Sequence, residues 1–172
     1  MSGMHLAFDL SFTHTEGRWA REGSWVGRDF PDVRMFQEIA QIAAIIKKYD
    51  CERHCYFMSG AEYVLDIMRR VAPQIPRCAG AGSVKPYDLV EKALKYDCKK
   101  IQIFTPDIKI LFGPDYVAET CRRAHEHGIR VNICQADNAA TARAYLDAGC
   151  DTILTNDFGL IQNTVREWKK EH

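Results

Sequence analysis

Apolar and polar positions along this chain follow two rhythms that take turns. From His5 to Leu10 every second residue is apolar (Leu6, Phe8, Leu10), and His5 and Asp9 fall between them. That is the period of a strand. From about Asp32 to Tyr49 the apolar spacing widens to three and four, through Met35, Ile39, Ile42 and Ile46, which predicts a helix. The alternation then repeats. A strand over His54–Met58 precedes a helix from Ala61 to about Val71, stopped by Pro73. A short, glycine-bounded strand at Arg77–Gly80 precedes a helix from Pro86 to Tyr96, with proline in a favoured first-turn position. Lys100–Phe104 is the next strand, and a helix runs from beyond Gly113-Pro114 to His127. Two further segments share one grammar: an amphipathic helix, a glycine stop (Gly128, Gly149), then a β-branched run at Ile129–Ile133 or Thr152–Thr155. Phe158–Lys170 reads as a closing helix.

Helix, tight turn and buried strand in repetition indicate a parallel α/β protein, in which sites lie at the C-terminal ends of the strands. The count of about six strand–helix units fits either an open doubly wound sheet or part of a (β/α)8 barrel. Side-chain alternation separates the two. Ile101 and Ile103 share a face and leave Gln102 on the other; Val131 and Ile133 do the same with Asn132. A sheet covered by helices on both sides is apolar on both faces. Here one face is apolar and the other carries His5, Asp9, Gln102 and Asn132. The predicted fold is therefore an incomplete TIM (β/α)8 barrel, with helices outside and a polar interior. Each polar residue alone could be a satisfied interior group; four from three strands favour a site.

Composition narrows the partners. Lys+Arg and Asp+Glu are both 23, so the net charge is zero. Nucleic acid or an anionic membrane surface as main partner would reward a basic chain. No apolar run is long enough to span a bilayer, and Met1–His5 lacks the start of a signal peptide. Seven cysteines at 51, 55, 78, 98, 121, 134 and 150 form no CxxC pair. They read as small hydrophobes in a reducing cytoplasm. No linker or low-complexity segment interrupts residues 1–172, which are expected to form one domain.

At the C-terminus, Ala148-Gly149-Cys150-Asp151-Thr152-Ile153-Leu154-Thr155-Asn156-Asp157 resembles the closing strand of the glycerophosphodiester phosphodiesterase family, a (β/α)8 barrel. His127-Gly128-Ile129-Arg130-Val131-Asn132 is similar to that family's seventh strand, although Asn132-Ile133-Cys134-Gln135 stands where Trp-Thr-Val-Asn is usual. Arg53 to Pro76 is similar to its fourth unit. Phe8-Asp9-Leu10-Ser11 occupies the place of its third strand, where an acidic residue, an apolar residue and Lys are usual. The resemblance covers barrel units three to eight and implies that the two N-terminal βα units are lacking.

The resemblance also implies a chemistry: hydrolysis of a glycerophosphodiester, of lipid origin, to an alcohol and glycerol 3-phosphate. It implies a divalent metal (Mg or Ca), an acid and a base. The family carries its histidine pair in His-Arg-Gly and His-Asp motifs and two metal carboxylates in Glu-x-Asp. None of these motifs occurs in this sequence, so no catalytic residue is assigned. Asp9 is the one match to a metal ligand, and hard cations want several oxygens. Substrate-binding candidates are Ser11, Gln102, Asn132 and Arg18.

Arg18 belongs to the connection 11–31, which also carries Trp19 and Trp25. Its arginines could hold phosphate and its tryptophans stack on a ligand, or the tryptophans could be buried and the arginines solvated. His125-Glu126-His127 is read as a helix end, since residues two apart diverge on a helix. The alternatives to a hydrolase fragment inactive alone are a non-catalytic family member that binds a phosphate ligand or a partner chain, and an unrelated α/β enzyme using the polar face. An incomplete barrel also predicts open sheet edges, an interior open to solvent, and either self-association or a monomer in which the 11–31 connection folds across the gap.

Overall fold

The computed structural model describes residues 6–9, 33–80, 88–104 and 115–172. The strands are β1 (Leu6–Asp9), β2 (Cys55–Ser59), β3 (Arg77–Gly80), β4 (Lys100–Phe104), β5 (Arg130–Cys134) and β6 (Thr152–Leu154). The helices between and after them are α1 (Val33–Lys48), α2 (Glu62–Val71), α3 (Asp88–Lys95), α4 (Tyr116–Glu126), α5 (Ala139–Asp147) and α6 (Phe158–Glu171). All strand pairs are parallel, and the sheet order is the chain order, β1 to β6. Six consecutive βα units in sequential order make an incomplete TIM-like barrel. Among the described residues β1 and β6 each have a hydrogen-bonded neighbour on one side only.

The main core lies between the outer sheet face and the helices. Cys55, Phe57, Ala79, Ile101, Ile103, Val131 and Ile133 meet Ile39, Leu65, Met68, Leu89 and Val117 in one buried cluster. Register pairs Leu6 with Cys55, Phe8 with Phe57 and Asp9 with Met58. The buried positions 101, 103, 131 and 133 make the apolar face that the alternation predicts.

Four helices end in the same way. At Gly128 and Gly149 φ is 67° and 94°, the left-handed conformation a helix stop requires. The next amide reaches back five residues, from Ile129 N to Ala124 O (2.9 Å) and from Cys150 N to Tyr145 O (2.9 Å). Asp50 and Asp97, with φ of 52° and 50°, do this for α1 and α3. There Cys51 N bonds Ile46 O (3.1 Å) and Cys98 N bonds Ala93 O (2.7 Å). Both stops are written Lys-Tyr-Asp-Cys, at 48–51 and 95–98. The bond to Ile129 also explains why β5 starts at Arg130, one residue later than the apolar run suggests.

Candidate functional site

The inner face of the arc is built in levels. Lys100 Nζ lies 4.2 Å from the centre of the Tyr56 ring, joining β4 to β2. Asn132 Nδ2 lies 3.9 Å from Cys78 Sγ, joining β5 to β3. Both contacts link alternate strands, the layering of a tilted barrel wall. The strand register carries this stagger upward. Arg130 is lowest, then Lys100 and Tyr56, then Asn132 and Cys78, then Gln102 and Met58, with Asp9, Gly80 and Cys134 at the C-terminal rim.

The middle levels are buried: Gln102 is 5% exposed, Asn132 3% and Cys78 0%. The interior is therefore more closed than an arc with open edges predicts. The Lys100–Tyr56 and Asn132–Cys78 contacts cross this concave side. Exposure is instead concentrated at β6, where Leu154 is 54% exposed.

Asn132 is the most informative of the candidates. Its Nδ2 donates to the Tyr56 hydroxyl at 3.4 Å, while its buried Oδ1 has no partner. A buried amide oxygen without a donor costs about 1–3 kcal/mol, and a ligand hydroxyl could satisfy it. Gln102 stands next to it in register. Asp9 is placed at the rim, where a site would lie. Ser11, Arg18 and the rest of the 11–31 connection lie outside the described residues.

Two rim features escaped the sequence reading. Asp137, just after β5, accepts from Asn156 N (2.8 Å), Asn156 Nδ2 (3.1 Å), Thr155 Oγ1 (3.1 Å) and Gln135 Nε2 (2.5 Å). These donors, the Asn156 amide first, hold its pKa below the ordinary value. With its lone pairs occupied, it braces the ends of β5 and β6. Lys92 of α3, 4% exposed, donates to the carbonyls of Gly60 and Gly80 at the ends of β2 and β3. Burial lowers its pKa. The apolar spacing of α3 gave no signal for a lysine pointing inward.

A divalent cation does not fit the described residues. They contain no group of three His, Cys, Asp or Glu able to hold one, and Asp9 alone supplies too few oxygens. His125 is engaged elsewhere, with Nε2 at 2.9 Å from Asp151 Oδ2. No disulfide joins the cysteines, and five of the seven are buried.

No protein-family model matches the sequence, and no curated protein matches it at a significant level. Solved structures do resemble the fold. A glycerophosphodiester phosphodiesterase from Parabacteroides distasonis matches with a TM-score of 0.65 at 14% identity, over 97% of this chain and 58% of its own. One from Agrobacterium tumefaciens matches with 0.57 at 15%, over 74% of this chain and 52% of its own. A phosphodiesterase of Oleispira antarctica, solved with the product sn-glycerol-3-phosphate, matches with 0.59 at 18%, over 77% and 50%. This chain thus spans about half the length of the structures it matches, and it shares their fold.

Proposed function

We propose that the chain is the recognition arc of a glycerophosphodiester phosphodiesterase-type barrel. The observation that carries this reading is Asn132: a buried, unpartnered amide oxygen on the inner face of an arc whose fold is that of phosphodiesterases. The ligand is a small phosphodiester or its glycerol 3-phosphate product, held by Asn132 and Gln102, with Ser11 and Arg18 contributing from the connection above. Hydrolysis to an alcohol and glycerol 3-phosphate requires the acid, base and metal carboxylates of two further βα units, which would close the barrel beside Asp9. The domain is then residues 1–172 plus those units. Alone, the chain binds without turnover.

Zero net charge supports a small ligand over nucleic acid. Among the described residues no helix is long and apolar enough to cross a membrane. The thiols, none in a disulfide, support a reducing, cytoplasmic setting. Among the described residues β1 and β6 are each paired on one side only, which supports self-association through strand edges.

Calorimetry with sn-glycerol 3-phosphate, and phosphodiester hydrolysis with Mg²⁺ or Ca²⁺, test the reading. The chain should bind and not hydrolyse, and mixing with the first two units of a complete phosphodiesterase should restore turnover. Absence of both binding and complementation would refute the assignment. Metal-dependent turnover by the chain alone, lost in Asp9→Ala, would show that it is already a complete enzyme. Light scattering after size exclusion should show association, and a monomer at all concentrations would remove the edge-pairing proposal.

A further inference from the structure

At the opposite end of the arc lies a second concavity. It has a volume of about 300 Å³ and is lined by Arg53, Cys55, Tyr56, Pro76, Lys99, Lys100, Gly128 and Arg130. These residues mark the starts of β2, β3, β4 and β5, whereas Gln102 and Asn132 lie further along their strands. Four of them are cations and none is a carboxylate.

Two nearby carboxylates are already engaged; a third, Glu52, flanks Arg53 and acts on Cys55 through its charge. Asp97 takes Lys99 Nζ at 2.7 Å and Arg77 Nη2 at 3.0 Å. Asp151 takes Val131 N at 2.7 Å and His125 Nε2 at 2.9 Å. Among the described residues, Arg53, Lys100 and Arg130 form no ion pair. Lys100 and Arg130 are register partners on the inner face, so two like charges stand side by side. Lys100 is half-buried against Tyr56. Burial first, and Arg130 as well, hold its pKa below the ordinary lysine value.

Arg53, Lys99 and Arg130 are exposed and only Lys100 is partly desolvated, but cations gathered in one concavity concentrate field and favour a compact anion of more than one charge. Guanidinium forks suit tetrahedral oxyanions, and an ammonium adds a point charge. We propose that this pocket at the N-terminal end of the strands binds a small phosphate-type anion, such as inorganic phosphate, pyrophosphate or a phosphate monoester. Arg53 and Arg130 clamp the oxygens, Lys100 neutralises them from below Asn132, and Lys99 screens the mouth. The volume is at the small end for ligand sites and accommodates such an anion more readily than a folded segment. The site is independent of the ligand proposed for Asn132 and Gln102.

The test is an amide-resolved NMR titration of the full chain with inorganic phosphate and with pyrophosphate, against sodium chloride at matched ionic strength. Saturable shifts are expected at Cys55–Tyr56, Lys99–Lys100 and Arg130, tighter for pyrophosphate. The double variant Lys100→Gln/Arg130→Gln should weaken binding by roughly tenfold or more, the loss of one or two charge-assisted bonds. Arg53→Gln, at an exposed rim position, should weaken it measurably without touching the interior, and serves if the double variant does not fold. Asp9→Ala should leave it unchanged. Linear shifts, an equal response to chloride, or binding that survives Arg53→Gln undiminished would overturn the site. So would saturable binding of an acidic peptide with no response to either phosphate.

Discussion

Asn132 gives its side-chain amide to the Tyr56 hydroxyl over 3.4 Å while its own carbonyl oxygen, equally buried, receives nothing. The pair spans β5 and β2, and Lys100 lies over the same Tyr56 ring. Half of the amide thus works for the fold, and half is left unsatisfied at a cost.

That asymmetry makes Asn132→Leu informative. The change removes a bond worth about 1 kcal/mol and also an unsatisfied acceptor of similar or larger cost. Urea denaturation should show stability changed by less than about 1 kcal/mol, while binding of sn-glycerol 3-phosphate is lost. A large loss of stability would mean that the amide is structural; retained binding would mean that it is not the recognition group.

The two glycine stops should respond unequally to alanine. Gly128 has φ of 67° and open space where a Cβ would go. Gly149 has φ of 94°, and its Cβ would lie 3.4 Å from the Cβ of Cys121. Gly128→Ala should cost about 1 kcal/mol, the left-handed penalty alone. The contact with Cys121 is of ordinary van der Waals length, but a φ of 94° lies outside the small left-handed region open to a side chain, so Gly149→Ala should cost more. Equal midpoints in urea would show that the difference in φ does not matter.

Acid sensitivity should concentrate around Arg77. This buried guanidinium donates to the carbonyls of Tyr96 (3.2 Å) and Asp97 (3.0 Å) and to the Asp97 carboxylate (3.0 Å). The hydrogen bond from Lys99, with the charges of Lys99 and Arg77, lowers the Asp97 pKa. Lys95 and Tyr96 do the same for Glu62. A carboxylate whose folded pKa is depressed stabilises above its unfolded value, and the contribution disappears as pH falls through the folded value. Stability should therefore hold near neutrality and fall below about pH 4. Asp97→Asn should flatten that limb; an unchanged acid profile would locate the sensitivity elsewhere.

Much of this was legible in the alternation of residues. The outer core at Ile101, Ile103, Val131 and Ile133, the polar inner positions 102 and 132, and the stops at Gly128 and Gly149 all follow from spacing. Asp50 and Asp97 did not stand out, because aspartate rarely adopts positive φ and its role depends on the backbone around it. The basic pocket was hidden for a different reason. Arg53, Lys100 and Arg130 are far apart in sequence, and only parallel register brings the last two together. Lys92 broke the rule that a lysine on an amphipathic helix faces solvent.

Lys92 provides the last prediction. Its ammonium donates to the carbonyls of Gly60 and Gly80, at the C-terminal ends of β2 and β3. A Cβ on Gly80 would lie 3.3 Å from Gly60 N and 3.4 Å from Ser59 O, so the two strand ends pack backbone to backbone. Lysine can strap them because its four-carbon stem reaches from α3, where Lys92 is buried as Leu89 and Ala93 are. Burying a charge is expensive, and removing it offsets part of the cost of leaving the two carbonyls without this donor. Lys92→Met should therefore lower global stability by only about 1–3 kcal/mol, yet release the rim. Hydrogen exchange should speed up at Ser59, Gly60 and Gly80 while Ile101 and Val131 stay protected. Because burial lowers the folded pKa of Lys92, the sign of its pH dependence is fixed. The native chain should gain stability relative to Lys92→Met as pH rises from the folded value towards about 10.4, the unfolded one. If exchange at Gly60 and Gly80 is no faster in the variant, the strap is not what holds the rim, and close packing at Gly80 suffices.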